Sequence, residues 1–450
     1  MRPHLVCALA AARARRALRA GVYAVLGLLV FLPYPARAAD PKERTPVAKV
    51  LNGTVLAREQ VEKPWRVLDN GKSVPSGDML VGISGTTLES KNRAVRLTFL
   101  GDLDETSPFP VIETAVSLRP SNDFDLDFTL DRGRIDLINH KDKGAAKVRV
   151  RFLKKSWDLT LDEPGTRVAL EIYGRWPPGS RYEPNAKQER SPVINFVMVV
   201  LKGQVDRKCP VCQIAMKAPP GPALFEWDSV NGEDNCAHRL DKLPEWTKPP
   251  DPDSEKVKLK KEKLEKLRKI VVNDSVDAAL KQFIHSDDAN ERKLGIYAAG
   301  ALDQLNYVAE VLQESKHPDA WHNSVVAIRH WLGRGPGQDA ILYNRLIKLR
   351  NYSPAEAKTT IQLLHGFTEV QAAQPELYEV LINLVKNDKL AIRGLAHWHL
   401  QRLAPLVKVD FNPASEKEEW EKAAAAWKKA IPKGNLPPTL KDVEKESRKQ

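Results

Sequence analysis

The amino-acid sequence predicts a multidomain protein in which an all-β region is followed by an all-α region. Apolar and polar residues alternate in successive short segments between residues 124 and 205. Since side chains on a strand point alternately to opposite faces, each segment predicts a strand with one buried face. From residue 274 to residue 431 the apolar spacing changes to the period of an α-helix. The proline-rich stretch 248–253 separates the two patterns.

The composition is that of a globular protein and does not indicate a nucleic-acid partner. The chain has 450 residues, of which 42% are hydrophobic and 28% charged, so it can form two or three domains of about 150 residues. The formal net charge of +12 falls to +6 without residues 1–38, which contain six arginines and no acidic residue. Nucleic-acid binding would need clustered Lys and Arg with aromatic residues. We therefore expect protein partners and no nucleic acid.

Residues 1–38 have the composition of a signal peptide. A basic segment at 13–19, an apolar segment at 21–32 and a small-residue cleavage site at Ala36-Arg37-Ala38 follow one another in the required order. The apolar segment is shorter than the roughly 20 residues that a membrane-spanning helix needs. We therefore expect a periplasmic or secreted protein, with membrane association only if this segment stays uncleaved.

The β region contains strand and turn signals in regular succession. Residues 50–58 predict the first strand, and Asn70-Gly71 is a dipeptide typical of tight turns. Residues 76–80 and 94–99 predict the next strands. Later turns are predicted where glycine follows a basic residue or proline, at Arg132-Gly133, Lys143-Gly144, Pro164-Gly165 and Pro177-Pro178-Gly179.

The turn and strand positions of this region resemble those of a FecR-type domain. They occur in the order Trp65, Leu68, Gly71, Val74, Gly77-Asp78, Leu80, Ala94, Leu97, Phe99, Leu130, Gly133, Ile135, Gly165-Thr166, Leu201, Gly203 and Val205. The resemblance covers residues 50–206 as the core of a β region at 40–245. It implies a β scaffold for binding or sensing at the cell envelope. Only about 20 residues precede the apolar segment, too few for the sigma-factor-handling part of such regulators, so no anti-sigma activity is expected.

Two rows of opposite charge lie on predicted strands of the β region. Asp123, Asp125 and Asp127 form one row, and Lys147, Arg149 and Arg151 form the other. Aligned carboxylates can contribute to a calcium site, which needs about six to eight oxygen ligands. Opposed charge rows on neighbouring strands, however, are typical of cross-strand ion pairs. We expect a ladder of ion pairs rather than a metal site.

Three cysteines and a histidine form a candidate metal site near the end of the β region. Cys209 and Cys212 have the Cys-x2-Cys spacing of a zinc knuckle, and Cys236 is followed two residues later by His238. A disulfide is the alternative, because cysteines of exported proteins are often oxidised. Spacing leaves structural zinc and a disulfide with one spare thiol both open.

The segment 246–270 is predicted to be a charged linker that ends in a helix. Residues 248–253 are rich in proline and aspartate and should form a stiff, polar break. Residues 256–269 alternate Glu and Lys at helical spacing, which is more typical of a solvated helix than of a nucleic-acid-binding segment.

The helical region contains a weak internal repeat. Residues 292–302 share a pattern with residues 393–403, and the apolar segments 321–332 and 355–367 lie between them. Steps of about 33 residues are typical of helix-pair repeats. The pattern resembles HEAT-like repeats, which implies a short α-solenoid over 271–432. Residues 433–450 are expected to form a disordered tail.

The sequence contains no recognisable catalytic set, so we expect a non-enzymatic protein. His397 and His399 are two residues apart and should point to different faces of a helix, unlike the paired ligands of a zinc protease. The glycine-rich segment 333–337 lacks the preceding strand and the lysine of a phosphate-binding loop. No cofactor is expected apart from the zinc that the cysteine set could hold.

Both regions are of types that present binding surfaces, and this determines the functional prediction. We expect an exported envelope protein that binds or scaffolds other proteins, as a sensing or regulatory module. A carbohydrate- or cell-wall-binding module would instead use exposed aromatic residues such as Trp176 and Tyr182. A thiol redox protein would use Cys209 and Cys212, with one sulfur exposed and a low thiol pKa.

Overall fold

A computed structural model describes residues 44–102, 113–184, 191–209, 212–233, 236–314 and 317–438. Within these ranges a strand-rich N-terminal region is followed by a helical C-terminal region, as the sequence predicts. The signal-peptide prediction for residues 1–38 and most of the predicted tail lie outside the described residues. No helix in the described ranges combines the length and the apolar character needed to cross a bilayer.

Eighteen strands are described in the β region and are numbered in chain order. They are β1 (Pro46–Asn52), β2 (Val55–Arg58), β3 (Arg66–Leu68), β4 (Ser73–Pro75), β5 (Met79–Gly82), β6 (Thr87–Ser90), β7 (Val95–Leu100), β8 (Thr114–Arg119), β9 (Leu126–Asn139), β10 (Ala146–Phe152), β11 (Lys155–Leu161), β12 (Arg167–Arg175), β13 (Val193–Lys202), β14 (Gln204–Cys209), β15 (Cys212–Lys217), β16 (Pro222–Asp228), β17 (Gly232–Glu233) and β18 (His238–Arg239).

The strands form two sheets that are joined by the long strand β9. The first sheet has the order β4–β1–β6–β7–β9–β12–β13–β16, with β17 and β18 beside β16. The second has the order β3–β2–β5–β8–β9–β10–β11–β14–β15. Among the described strands, β9 and β10 are the pair that runs parallel. The N-terminal part of β9 belongs to the second sheet and its C-terminal part to the first.

Strand β9 passes from one sheet to the other at Gly133, where the sequence predicted a turn. The prediction of a turn at Arg132-Gly133 is wrong, because both residues lie within the continuous strand β9. The register on β8 shifts between Ala115 and Val116, which marks a β-bulge. Gly133 has a φ of +89°, and a Cβ there would lie 2.2 Å from the carbonyl oxygen of Glu113. Glycine therefore permits the bulge through which one strand joins two sheets.

The other predicted turns are present, but the first predicted strand is interrupted. Gly71, Gly144, Gly165 and Gly179 all have positive φ, between 77° and 81°, as turn glycines do. The predicted strand 50–58 consists of two strands, β1 and β2, which separate at residues 53 and 54 and belong to different sheets.

The facing sides of the two sheets enclose one apolar core. Alternate residues of β10 and β11 are buried, as the period-two pattern predicts. Near the centre, the rings of Phe152 and Phe196 stack with centroids 4.3 Å apart. Trp157 meets the ring of Phe152 edge-on at 4.6 Å. Aromatic pairs of this geometry add to the free energy that burial alone supplies.

Eleven helices are described in the C-terminal region. They are α1 (Glu255–Asn273), α2 (Val276–Ile284), α3 (Ala289–Ala301), α4 (Leu305–Glu314), α5 (Pro318–Gly333), α6 (Gln338–Arg350), α7 (Pro354–His365), α8 (Glu369–Ala372), α9 (Pro375–Leu384), α10 (Leu390–Leu403) and α11 (Lys417–Ala430).

The helices pack in consecutive pairs. Contacts join α2 with α3, α4 with α5, α6 with α7, and α9 with α10. The second members also contact one another in chain order, α3 with α5, α5 with α7, and α7 with α10. Ser275 caps the start of α2, since its side chain accepts a hydrogen bond from the backbone N–H of Ala278.

The internal sequence repeat corresponds to a repeated contact. Arg292 on α3 donates from Nη1 to the carbonyl oxygens of Ser286 and Asp287, each at 2.9 Å. Arg393, at the corresponding position of α10, donates from Nη1 to the carbonyl oxygen of Asn387 at 2.6 Å. Both arginines thus bind the loop that leads into their own helix, at positions where backbone acceptors would otherwise lack donors.

The charged segment predicted as a linker and helix contains α1, which packs against the β region. Val257, Leu267 and Val271 are buried on one side of the helix, while most of its Lys and Glu residues are exposed. The guanidinium of Arg268 lies 3.1 Å from the carboxylate of Asp69 in the β region. The helix prediction is confirmed, and the helix contributes to the junction between the two regions.

Candidate functional site

The β region and the helical region are joined by a shared apolar core. In β2, Val55 and Ala57 face the core between the sheets, whereas Leu56 belongs to the buried cluster of the helices. Val81 on β5 and Ala115 on β8 contribute to the same junction. The second sheet is therefore buried on both faces here, which explains why all four residues of β2 are buried.

A network of buried charges crosses this junction. The carboxylate of Glu113 lies 3.0 Å from Arg132 Nε and 2.5 Å from Arg334 Nη2. Arg334 Nη1 lies 2.6 Å from Asp303, which also binds Arg58 of β2 at 2.5 Å. Two carboxylates and three guanidiniums thus connect strands to helices α3–α5 and the segments that follow them.

The network keeps its carboxylates ionised. Burial acts to raise the pKa of Glu113, but the guanidiniums of Arg334 and Arg132 hold it below its ordinary value. Burial likewise acts to raise the pKa of Asp303, but the guanidiniums of Arg334, Arg132 and Arg58 hold it below its ordinary value. Paired buried charges of opposite sign fix the relative positions of the segments that carry them, because loss of either partner leaves the other charge uncompensated.

A cleft of about 430 Å³ lies between the second sheet and the helices. Its apolar lining comes from both regions and includes Leu56, Val81, Ile83, Leu264, Leu267, Leu294, Tyr297 and Val326. Lys260, Lys263 and Lys293 also line it, and Lys263 Nζ lies 2.9 Å from Asp288. Asp102 and Glu113 lie at the cleft, and the segment 103–112 that connects them is outside the described residues.

The cleft has the properties of a binding site. Its size falls within the range of about 300–1,000 Å³ that ligand pockets occupy, and such pockets are mostly apolar with a few polar groups. The Glu113 carboxylate in its wall is already bound by two arginines. The mostly apolar lining favours a ligand that presents apolar groups.

The aromatic residues on which the carbohydrate alternative rests are buried. Trp176 is 8% exposed and Tyr182 is 7% exposed. Trp176 Nε1 donates to the carbonyl oxygen of Leu332 at 2.9 Å, and its ring stacks on His365 at 4.6 Å. Tyr182 packs against Tyr343 of α6 at 5.1 Å. Both residues hold the loop after β12 against the helices and present no surface on which a sugar could stack.

The candidate metal site is described only in part. Cys209 and Cys212 are paired in the register of β14 and β15, but their side chains lie outside the description. Cys236 is exposed with a free thiol, and His238 lies on β18 opposite Leu224. Across the side chains that the structure describes, no group of three or more His, Cys, Asp or Glu residues has metal-binding geometry. The choice between zinc and a disulfide stays a prediction.

The predicted charge rows form ion pairs between neighbouring strands. Arg151 binds the carboxylate of Asp127 through two hydrogen bonds of 2.8 and 2.9 Å, across the parallel β9–β10 pair. Arg149 binds Asp158 on β11 in the same two-pronged way, at 2.7 and 2.9 Å. Asp123 precedes β9 and is exposed. The ladder prediction is confirmed for Asp127 and Arg151 alone, since Arg149 pairs with Asp158 and Asp125 pairs with Lys141, both outside the two predicted rows.

The predicted separation of His397 and His399 is confirmed. His397 Nδ1 accepts a hydrogen bond of 3.2 Å from Trp427 Nε1 on α11. His399 Nε2 lies 2.7 Å from the carbonyl oxygen of Leu363 on α7. The two histidines therefore pack against different neighbours.

The residues of the charge network and the cleft were not found from the sequence. Glu113 and Arg334 are 221 positions apart, and neither belongs to a recognisable motif. The one local signal was the density of apolar residues on α1. The alternating Lys and Glu residues of the same segment predicted a solvated helix instead.

Comparison of the chain with known proteins gives no relative. It matches no family model, no curated protein and no solved structure. The resemblances of the two regions to FecR-type and HEAT-like domains stay predictions.

Proposed function

We propose that this chain is a non-enzymatic exported envelope protein that binds or scaffolds another protein, and that the cleft between its two regions receives an apolar segment of that partner. The β region would act as a FecR-like scaffold and the helices as a short HEAT-like solenoid. Together they would serve in sensing or regulation at the envelope.

The arrangement of the elements supports the two domain assignments. Turn glycines of the FecR-like pattern, including Gly71, Gly77 and Gly203, have positive φ. In the helical region, α3, α5, α7 and α10 form a row with a paired helix beside each. Stacked helix pairs of this kind typically present extended binding surfaces.

The cleft is the observation that carries the proposal. Its apolar side chains are only partly buried at Ile83, Leu264, Leu294, Tyr297 and Val326. Apolar side chains left accessible in a concave surface mark interaction sites more often than scattered exposed residues do. The charge network fixes both walls, so the cleft is organised before a partner arrives.

Site-specific photocrosslinking in the intact envelope tests the proposal. A photoreactive amino acid at Val326, inside the cleft, should crosslink one envelope protein. The same amino acid at Val370, which is 73% exposed on α8 and outside the cleft, should not. A second substitution in the cleft, Leu294→Asp, should abolish the crosslink while circular dichroism shows an unchanged fold.

Three outcomes would contradict the proposal. Equal crosslinking from Val326 and Val370 would show that capture does not depend on the cleft. A crosslink that stays within the chain would show that the protein fills its own cleft. Crosslinking to cell-wall glycan alone would favour the carbohydrate-binding alternative on a different surface from Trp176 and Tyr182.

A further inference from the structure

A cavity of about 390 Å³ lies on the outer face of the first sheet, apart from the cleft. Three adjacent strands line it, with Tyr173 on β12, Asn195 on β13, and Glu226 and Asp228 on β16. Residues that alternate with them along the strands, such as Phe196, are buried in the core between the sheets. Because neighbouring side chains of a strand point to opposite faces, these four residues face away from that core. We call this site the outer-face cavity.

The pairing of the strands places the four side chains within reach of one ligand. Tyr173 is directly opposite Asn195 in the register of β12 and β13, and Asn195 is directly opposite Asp228 in that of β13 and β16. Directly opposed residues of antiparallel strands have Cβ atoms roughly 5 Å apart. The three residues therefore form a row across three strands, with Glu226 beside Asp228 on the same face.

The turn after β16 fixes the Asp228 carboxylate in place. Its Oδ1 atom accepts hydrogen bonds from the backbone N–H groups of Val230 and Asn231, at 2.8 and 2.7 Å. The side chain of Asn231 donates from Nδ2 to Oδ2 at 3.0 Å. These bonds from Asn231 and Val230 hold the pKa of Asp228 below its ordinary value. An ionised carboxylate has about four acceptor positions, so Oδ2 can accept a further hydrogen bond from a ligand.

Tyr173 supplies an aromatic side chain at the other end of the row. It is half-buried, and the guanidinium of Arg175 lies 5.5 Å from the centre of its ring. Burial, together with the charges of Glu171 and Glu226, raises the pKa of Tyr173 above its ordinary value. The phenol therefore keeps its proton at neutral pH, and the cavity combines an uncharged aromatic side chain with acidic and amide groups.

The mixture of donors and acceptors favours a ligand with hydroxyl groups. Ionised Glu226 and Asp228 only accept hydrogen bonds, whereas the amide of Asn195 both donates and accepts. A hydroxyl group can bond with all three, but a cation only donates and would leave the Asn195 amide N–H without an acceptor. An anion would be repelled by the two carboxylates.

We propose that the outer-face cavity binds a neutral saccharide, whose ring packs against Tyr173 and whose hydroxyl groups bond with Asn195, Glu226 and Asp228. Aromatic side chains offer a large apolar surface, which matches the C–H face of a sugar ring. The cavity volume lies within the range of about 300–1,000 Å³ that small-molecule sites occupy. The inference goes beyond the binding of a protein partner and does not depend on it, because the cleft lies against the second sheet.

Saturation-transfer difference NMR of the mature chain with cellobiose, maltose and N,N′-diacetylchitobiose tests the inference. At least one of these neutral disaccharides should bind saturably. Asn195→Ala removes a donor and an acceptor, so its affinity for that disaccharide should fall about tenfold. Glu226→Gln keeps the shape of the side chain but removes a charged acceptor, and affinity should fall about threefold or more. Glu163→Gln, at an exposed turn position between β11 and β12, is the matched control and should bind as the wild type does.

Thermal unfolding without ligand separates loss of binding from loss of structure. Glu226 is exposed, so Glu226→Gln should unfold at the temperature of the wild type while it binds the disaccharide more weakly. Binding of none of the three disaccharides by the wild type would overturn the inference. Wild-type affinity in both Asn195→Ala and Glu226→Gln would also overturn it.

Charged probes test whether the ligand is neutral. Cellobiuronic acid differs from cellobiose by one carboxylate and should bind more weakly than cellobiose at low ionic strength, because Glu226 and Asp228 repel it. Spermidine, a cation without hydroxyl groups, should bind more weakly than the bound disaccharide. Tighter binding of either charged probe would overturn the assignment to a neutral saccharide.

Discussion

Acidification from pH 7 to pH 5 should destabilise the helical region through three buried histidines. His365, His397 and His399 are 2%, 5% and 3% exposed, respectively. Burial lowers the pKa of each imidazole to about 4. For His397 the geometry gives a separate reason, because Trp427 Nε1 can only donate and the Nδ1 that faces it must be unprotonated.

The sign and size of the effect follow from proton linkage. In the unfolded chain a histidine has a pKa of about 6.5, so at pH 5 each of the three binds a proton that its folded form largely excludes. Their contribution to stability is complete above pH 6.5 and is lost as the pH falls towards 4. At pH 5 the loss is about 2 kcal/mol for each histidine, or about 6 kcal/mol together, a large part of the 5–15 kcal/mol typical of folded proteins.

Urea unfolding at pH 7 and pH 5, followed by tryptophan fluorescence, measures this loss. In His397→Gln the amide oxygen can still accept the hydrogen bond of Trp427, so the pH difference in unfolding free energy should shrink by about 2 kcal/mol. His285→Gln is the control, since that side chain is 61% exposed, and it should leave the difference unchanged. An unaltered pH difference in His397→Gln would refute the argument.

Three further substitutions test the junction and the bulge, each by urea unfolding. Arg334→Met leaves the buried Glu113 carboxylate with one arginine fewer and should cost about 3 kcal/mol. Gly333→Ala places a Cβ 2.1 Å from the carbonyl oxygen of Gly174 and should cost about 1–3 kcal/mol. Gly133→Ala forces a side chain into a φ of +89° and should cost a similar amount. A loss below about 0.5 kcal/mol, the usual effect of a neutral surface change, would contradict the corresponding contact.

The repeating local patterns predicted most of the fold. Strand alternation and helix periodicity depend on neighbouring residues, and both are visible in a single sequence. The failure at Arg132-Gly133 has a specific cause. A glycine with positive φ is required both in a tight turn and in a β-bulge, so the dipeptide does not distinguish a chain reversal from a strand that changes sheets.

The junction between the regions could not be predicted in the same way. Glu113 meets Arg334 only where the helices pack on the β region. Trp176 and Tyr182 illustrate the same limit. A loop rich in Pro and Gly is typically exposed, and nothing in its local sequence shows that these two aromatic residues pack against the helices. Neither of these contacts can be recognised from the spacing of residues in the sequence.

The fixed junction also determines how the cleft can bind. Its walls belong to different regions, and the bonds of Arg334 to Glu113 and Asp303 hold those walls together. A partner that had to separate them would lose binding energy to that opening, whereas one that fits the existing cleft would not. We therefore expect Arg334→Met to reduce photocrosslinking from Val326 at temperatures where the variant is still folded. If Arg334→Met crosslinks normally while circular dichroism shows it folded, the junction does not organise the cleft.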